Sequence, residues 1–313
     1  MKNSLMLADD SKIIPGSISS YIINLARCPD RLNYVLPSVS QLVLVNSAAS
    51  SADVAIPYQI VSAVDGRELS REQINYVVDE KAYRMRFKTS PEIGTIGCSL
   101  SHARCLEFFL KSNDEFALIF EDDVQFNHDE LSDVLASLMK HKNLWDIVSF
   151  ELNHHGLHLK IAALDGINRD SGMENYRKYS TCINGSHWLV IYLTNVKHAG
   201  AYLINRIAAQ QLLADFFPIK MPFDHYFTQQ KLFRKPWLKF TGVEPRLVYQ
   251  KFGTSEIKTQ NLVKSPAAIA HIVSGAILYA YSALVQFIHT SGRYAYIKIT
   301  RYIRRLVSSS PNH

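Results

Sequence analysis

Three consecutive carboxylates, Glu121, Asp122 and Asp123, follow the apolar run Ala117-Leu118-Ile119-Phe120, and apolar character resumes at Val124. A short buried strand that ends in acids is the expected form of a divalent-metal site. Hard cations such as Mg²⁺ and Mn²⁺ take oxygen ligands and share them with substrate phosphates. A solvated acidic turn after a strand would show the same pattern. If the strand continues, Glu121 and Asp123 point to one side and Asp122 to the other. Glu121 and Asp123 are then the candidate metal ligands, Asp123 the better of the two, and Asp122 is left to contact ribose or a donor sugar.

Arg27 and Arg31 follow the β-branched run Ser20-Tyr21-Ile22-Ile23-Asn24-Leu25, in what reads as the first strand-to-helix connection. Ligands of open α/β sheets bind outside the carboxyl ends of the strands, and guanidinium forks suit phosphate or ribose. The plain alternative is an ordinary basic helix start. A hydroxyl that attacks a sugar carbon must lose its proton, which calls for a general base. Asp224, set up by Pro222 and next to His225, is the candidate, with a helix cap as its bland alternative. His102 could bind metal or substrate, or be a hydrogen-bonded helix residue. His154, His155 and His158 are closely spaced but lack a fourth ligand, so zinc is not expected. Cys28, Cys98, Cys105 and Cys182 show no C-x-x-C spacing and read as free thiols. No P-loop, nucleophile elbow or G-x-G-x-x-G fingerprint supports an ATPase, hydrolase or dehydrogenase.

The elements that must position these residues alternate. A strand is expected at 20–25, and 42–45 and 59–64 read as further short strands or as one strand and a helix end; then come a mixed helical stretch at 72–87, a helix at 99–111, the acidic strand, a helix at 129–140 and a strand at 145–152. That alternation predicts an α/β layer with a mostly parallel sheet. Residues 153–184 read as long loops. A strand over 187–193, a second at 198–204 and a helix at 205–217 follow, then a helix from Tyr226 and edge strands at 237–243 and 246–249.

With 313 residues, 47% hydrophobic and 20% charged, the composition is that of an ordinary globular protein, and a net charge of +6 favours an anionic partner. The first ten residues lack the pattern of a secretory signal, so a cytoplasmic catalytic part is expected. From Ser265 to Gly292 there is no Asp, Glu, Lys or Arg, and then Arg293, Lys298, Arg301, Arg304 and Arg305 cluster. His271, Ser274, Gly275, Ser282 and Gln286 dilute the apolar stretch, and a basic flank tends to stay inside. An amphipathic helix lying on anionic lipid is the favoured expectation over packing on the domain or a true span. The expected organisation is an N-terminal extension (1–17), a catalytic domain (18–262) and an apolar-then-basic helical tail (263–313).

Taken together, Ile23-Asn24-Leu25 with Arg27 and Arg31, Ala63-Val64-Asp65-Gly66, Ile96-Gly97-Cys98 with Ser101-His102, Phe120-Glu121-Asp122-Asp123-Val124, Gly200-Ala201-Tyr202-Leu203-Ile204, and Pro222 with Asp224-His225 occur in one order. In this the chain resembles glycosyltransferase family 25, the lipooligosaccharide and lipopolysaccharide galactosyltransferases related to the collagen galactosyltransferases. The resemblance covers about residues 18 to 250 and excludes the tail. It implies a GT-A-like, Rossmann-related fold, a UDP-sugar donor, and Mn²⁺ or Mg²⁺ held at the Glu121-Asp122-Asp123 motif. Inversion at the anomeric carbon is also implied, with Asn24, Arg27, Arg31, Asp65, His102 and Asp122 on the donor side. Where the family often has an acid before Ile-Gly-Cys, this chain has Thr95.

The expectation is therefore a peripheral enzyme on the cytoplasmic face of the inner membrane that moves a hexose, galactose first, from UDP to a lipid-linked oligosaccharide. No nucleic acid is expected as a partner. The alternatives are an inactive homologue that scaffolds other enzymes at the membrane, a transferase of another hexose such as glucose, and a metal-dependent phosphoesterase.

Overall fold

The computed structural model describes residues 13–45, 52–151, 180–191, 198–229 and 238–251. Its first half comprises β1 (Ile14–Asn24), α1 (Pro29–Ser40), β2 (Val43–Leu44), β3 (Val54–Ala55), β4 (Tyr58–Ser62), α2 (Arg71–Val77), α3 (Glu80–Phe87) and α4 (Ile93–Lys111). There follow β5 (Asp114–Glu121), β6 (Val124–Gln125), α5 (His128–Lys140), β7 (Ile147–Ser149), β8 (Ser180–Cys182) and β9 (Trp188–Ile191). The last described elements are β10 (Ala201–Asn205), α6 (Arg206–Phe216), α7 (Phe223–Gln229), β11 (Phe240–Glu244) and β12 (Tyr249–Gln250).

Eight strands form one sheet in the order β4-β1-β5-β10-β7-β11-β9-β8. The pairs β1–β4, β1–β5 and β7–β11 are parallel, and the other four neighbouring pairs are antiparallel. The expected mostly parallel sheet is thus corrected to a mixed one. Strand–helix–strand alternation does set β5 and β7 running the same way. A later strand, β10, then inserts between them in the opposite direction, and no local pattern in the sequence announces that insertion.

β5 is buried from Phe116 to Phe120 because both of its faces are covered. Ala117 and Ile119 pack toward α4, α6 and α7, where Leu106, Phe109, Leu212, Phe216, Phe223 and Phe227 complete one core. Phe116, Leu118 and Phe120 face the other way, toward Val35 and Val39 of α1 and Leu131, Val134, Leu135 and Leu138 of α5. A strand covered twice has no solvent face, so its run is apolar without alternation. Removing one such side chain, as in Phe120→Ala, would cost about 3–5 kcal/mol.

Several expected boundaries shift for tertiary reasons. The single helical stretch at 72–87 is two helices. They part where Val78 bridges Ile219, with Ile219 N donating to Val77 O (2.7 Å) and Asp79 N to Ile219 O (2.9 Å). The Asp79 carboxylate then caps α3 by accepting from Ala82 N (2.9 Å). α4 starts at Ile93 rather than Ser99, so Ser101 and His102 lie in mid-helix. α7 starts at Phe223, which sets Asp224 in its first turn. β11 is no edge strand, for it lies between β7 and β9.

Among the described residues no helix is long and apolar enough to cross a membrane. The expected tail at 263–313 and the histidines 154, 155 and 158 lie outside the described residues.

Candidate active site

At the carboxyl end of β5 the ladder gives out and the three acids separate. Glu121 N still donates to Gly200 O (2.8 Å), and Lys251 N donates to Asp123 O (2.8 Å), so the backbone of the acidic turn is fixed from two sides. β12 pairs with β6 directly after it. Asp122 Oδ2 accepts from Asn24 Nδ2 at 2.7 Å, and the same amide nitrogen donates to Cys28 O at 3.0 Å. Arg31, in the first turn of α1, brings its guanidinium within 3.5 Å of both Asp122 Oδ1 and Asp123 Oδ2. The end of β1 and the start of α1 thus grip the acids that the end of β5 presents.

Both aspartates are about nine-tenths buried, and Asp123 Oδ1 has no hydrogen-bond partner. Desolvation pushes the Asp122 carboxyl up, even with Asn24 and Arg31 beside it. Desolvation and then the Glu121 charge push Asp123 to about 7. An ionised carboxylate held without water or a full set of donors is costly unless a cation reaches it. The free oxygen of Asp123, with acids around it, therefore fits a hard divalent ion.

Glu121 is held differently. Its Oε1 lies 3.1 Å from His102 Nε2 and accepts from the Cys98 thiol at 3.7 Å. The other ring nitrogen of His102 meets Tyr202 Oη at 3.2 Å, and the ring stacks on Phe223 with centroids 4.5 Å apart. Burial opposes the charge on Glu121, but the His102 hydrogen bond and charge, with His198 and the Cys98 thiol, together outweigh it and the carboxyl is held below its ordinary range. His102 is fully buried, so it acts on the site through Glu121. Cys98, His102 and Glu121 are close enough to share a metal, their ligand atoms lying within 4.8 Å of one another. They already satisfy one another, however, and burial pushes the thiol well up, whereas a metal takes the thiolate.

One loop further along, Arg27 Nε donates to Asp65 Oδ2 at 2.9 Å. Arg67, and then Arg27, holds the Asp65 carboxyl well below its ordinary range. This loop is seated on α4 by close packing that only glycine permits. A Cβ on Gly97 would stand 2.5 Å from Val64 O and 2.7 Å from Gly66 N. Ser101 Oγ accepts from Val64 N (2.8 Å) and donates to Gly97 O (2.7 Å), which ties the same contact. Ala63-Val64-Asp65-Gly66 and Ile96-Gly97-Cys98 are thus two halves of one joint.

Asp224 accepts from His198 N at 2.9 Å through its Oδ2. His198 has φ +86°, a left-handed conformation uncommon outside glycine. Its Nδ1 lies 3.5 Å from Glu151 Oε1, and that contact raises the imidazole pKa. His225 turns away, its ring edge-on to Phe87 at 5.2 Å.

Asn24, Arg31, Asp122 and Asp123 are brought together, with Glu121 and His102 behind them. Arg27 and Asp65 form a neighbouring pair, and Asp224 is linked by His198 to Glu151. Sequence reasoning missed Glu151 and His198. A signal for the first was there: Ile147-Val148-Ser149-Phe150 runs into Glu151 much as Leu118-Ile119-Phe120 runs into Glu121.

No curated protein matches the chain. Residues 17–227, about two-thirds of the chain, match the sequence profile of glycosyltransferase family 25, described as LPS biosynthesis protein. The profile takes in the acidic strand end, the arginine-bearing first loop, the glycine joint and Asp224, and the chain accordingly belongs to glycosyltransferase family 25, the glycosyltransferases of LPS biosynthesis.

Proposed function

We propose that this glycosyltransferase moves a hexose, galactose first among the donors, from UDP to a lipooligosaccharide or lipopolysaccharide acceptor. The proposal includes inversion at the anomeric carbon, dependence on Mn²⁺ or Mg²⁺, and a GT-A-like catalytic domain. The observation that carries it is the buried, partnerless Oδ1 of Asp123 at an acidic strand end that Asn24 and Arg31 hold in place.

Asp123 and Glu121 are the residues proposed to hold the ion, which when bound neutralises negative charge on the departing diphosphate. Arg31 supplies a fixed positive charge on the same side, and its planar fork can pass from the aspartates to phosphate oxygens. Asn24 orients Asp122, which is left facing the ribose or donor sugar. The Arg27–Asp65 pair borders the same loop end and extends that surface. His102 keeps Glu121 ionised and in position. Asp224, fixed by the His198 amide, takes the proton from the attacking acceptor hydroxyl. Residues 265–313 hold the enzyme on the anionic cytoplasmic face of the inner membrane, where a lipid-linked acceptor is found.

The test is a screen of UDP-Gal, UDP-Glc, UDP-GlcNAc and UDP-GalNAc against truncated lipooligosaccharide acceptors with Mn²⁺. Acceptor-dependent UDP release is expected, greatest with UDP-Gal. Asp224→Asn should lower turnover by roughly 10²–10⁴-fold, the usual contribution of a general base, and leave UDP binding in place. A protein that neither binds UDP nor consumes any UDP-hexose refutes the proposal. Hydrolysis without transfer would point to a phosphoesterase instead.

A further inference from the structure

Strands β5 and β7 both run antiparallel to β10, so they finish at the same edge of the sheet with β10 between them. Ala201 pairs with Phe120 on one side of β10, and Tyr202 pairs with Ser149 on the other. Continued past these pairs, the register sets Gly200 opposite both Glu121 and Glu151. The backbone agrees, since Glu121 N donates to Gly200 O (2.8 Å) and Phe150 N to Ala201 O (3.0 Å). Residues directly opposite on neighbouring strands share a face. Two glutamates therefore stand on one face of the sheet with only a glycine between them.

That glycine is required by the packing, because a Cβ at position 200 would run into Glu151 Oε2. Glu151 is 4% exposed, and its Oε2 has no hydrogen-bond partner. Oε1 faces His198 Nδ1. Asp123 Oδ1, two residues beyond Glu121 at the end of β5, is the other partnerless carboxylate oxygen among the described residues. Two buried carboxylate oxygens left without partners at this end of the sheet are each costly, and a hard cation offsets both at once.

We propose that Glu151, reaching over Gly200, supplies a further carboxylate ligand to the divalent-metal site at Asp123. This rests on the metal reading of the site given above. Glu151 thereby joins the two halves of the site, since its other oxygen holds the histidine whose amide fixes Asp224.

The test uses the full-length protein and Mn²⁺ alone, with free Mn²⁺ followed by electron paramagnetic resonance and thermal unfolding recorded in EDTA and in Mn²⁺. Glu151→Gln should bind Mn²⁺ about 10- to 100-fold more weakly, at least the loss seen when groups around a ligand are changed. In EDTA it should unfold at a higher temperature than the parent, because a buried charge with a partnerless oxygen is gone, and Mn²⁺ should raise that temperature less. Gly200→Ala, which displaces the carboxylate and leaves Glu151 intact, should also weaken Mn²⁺ binding. If Glu151→Gln binds Mn²⁺ like the parent while Asp123→Asn does not, Glu151 is no ligand and the Asp123 site stands. A parent that binds no Mn²⁺ overturns both. A Glu151→Gln protein less stable than the parent in EDTA would assign the side chain to holding His198 and overturn the proposal.

Discussion

Replacing Asp123 by Asn should make the metal-free protein more stable, although it removes the principal candidate ligand. In the folded protein the Asp123 carboxyl is raised from an ordinary 3.8 to about 7, by burial first and by Glu121 second. Because the folded state holds this proton more tightly than the unfolded chain, stability falls as pH rises from 3.8 and the loss is complete above about 7. At 1.36 kcal/mol per unit, the shift amounts to about 4 kcal/mol. An asparagine does not titrate and escapes this penalty. In EDTA at pH 8, Asp123→Asn should therefore exceed the parent by up to about 4 kcal/mol, and by less than half as much at pH 5. Urea denaturation at the two pH values measures both differences. With saturating Mn²⁺ the order should reverse, since only the parent gains from binding. An Asp123→Asn protein equal to or weaker than the parent in EDTA at pH 8, or a difference that ignores pH, would refute the claim that Asp123 is strained by burial and like charge.

Arg31→Ala removes the guanidinium that both aspartates share, and UDP affinity in Mn²⁺ should fall about 10- to 100-fold by calorimetry, the equivalent of one charged hydrogen bond. Arg31→Lys should recover only part of it, for lack of the planar fork, and unchanged affinity in both would remove Arg31 from the donor site. Gly97→Ala drives a Cβ against Val64 O and Gly66 N and should cost about 1–3 kcal/mol in urea denaturation. A neutral result would mean that the α4 joint yields easily. Deleting residues 265–313 should release the protein from membranes while UDP binding persists, and unchanged fractionation would end the membrane proposal.

The acidic strand was legible because burial on both faces leaves a continuous apolar run, which the three carboxylates end abruptly. Arg31 was legible through its place just beyond a buried strand. The family resemblance drew on the Ala63–Gly66 and Ile96–Ser101 pieces without explaining them. The structure supplies the reason, since Gly97 and Gly66 let a helix lie directly on a loop that Ser101 then ties down. Glycine reads locally as a break, which is why α4 was expected to start six residues late. Glu151 lay in the same kind of run as Glu121 but bore a single acid, and nothing near it in sequence suggested a partner.

By itself the sequence determined which segments must be buried, where strands give way to charge, and which family the motifs spell, because those depend on residue type and local spacing. The tertiary structure decided what meets what. It inserted β10 between β5 and β7 and so made the sheet mixed, gave Glu121 to His102 and Cys98 but left Asp123 Oδ1 without a partner, and set Glu151 over Gly200 on the face that Glu121 shares. Strand order and register are set by contacts between residues far apart in the chain, and those contacts leave no periodic trace in the segments that make them.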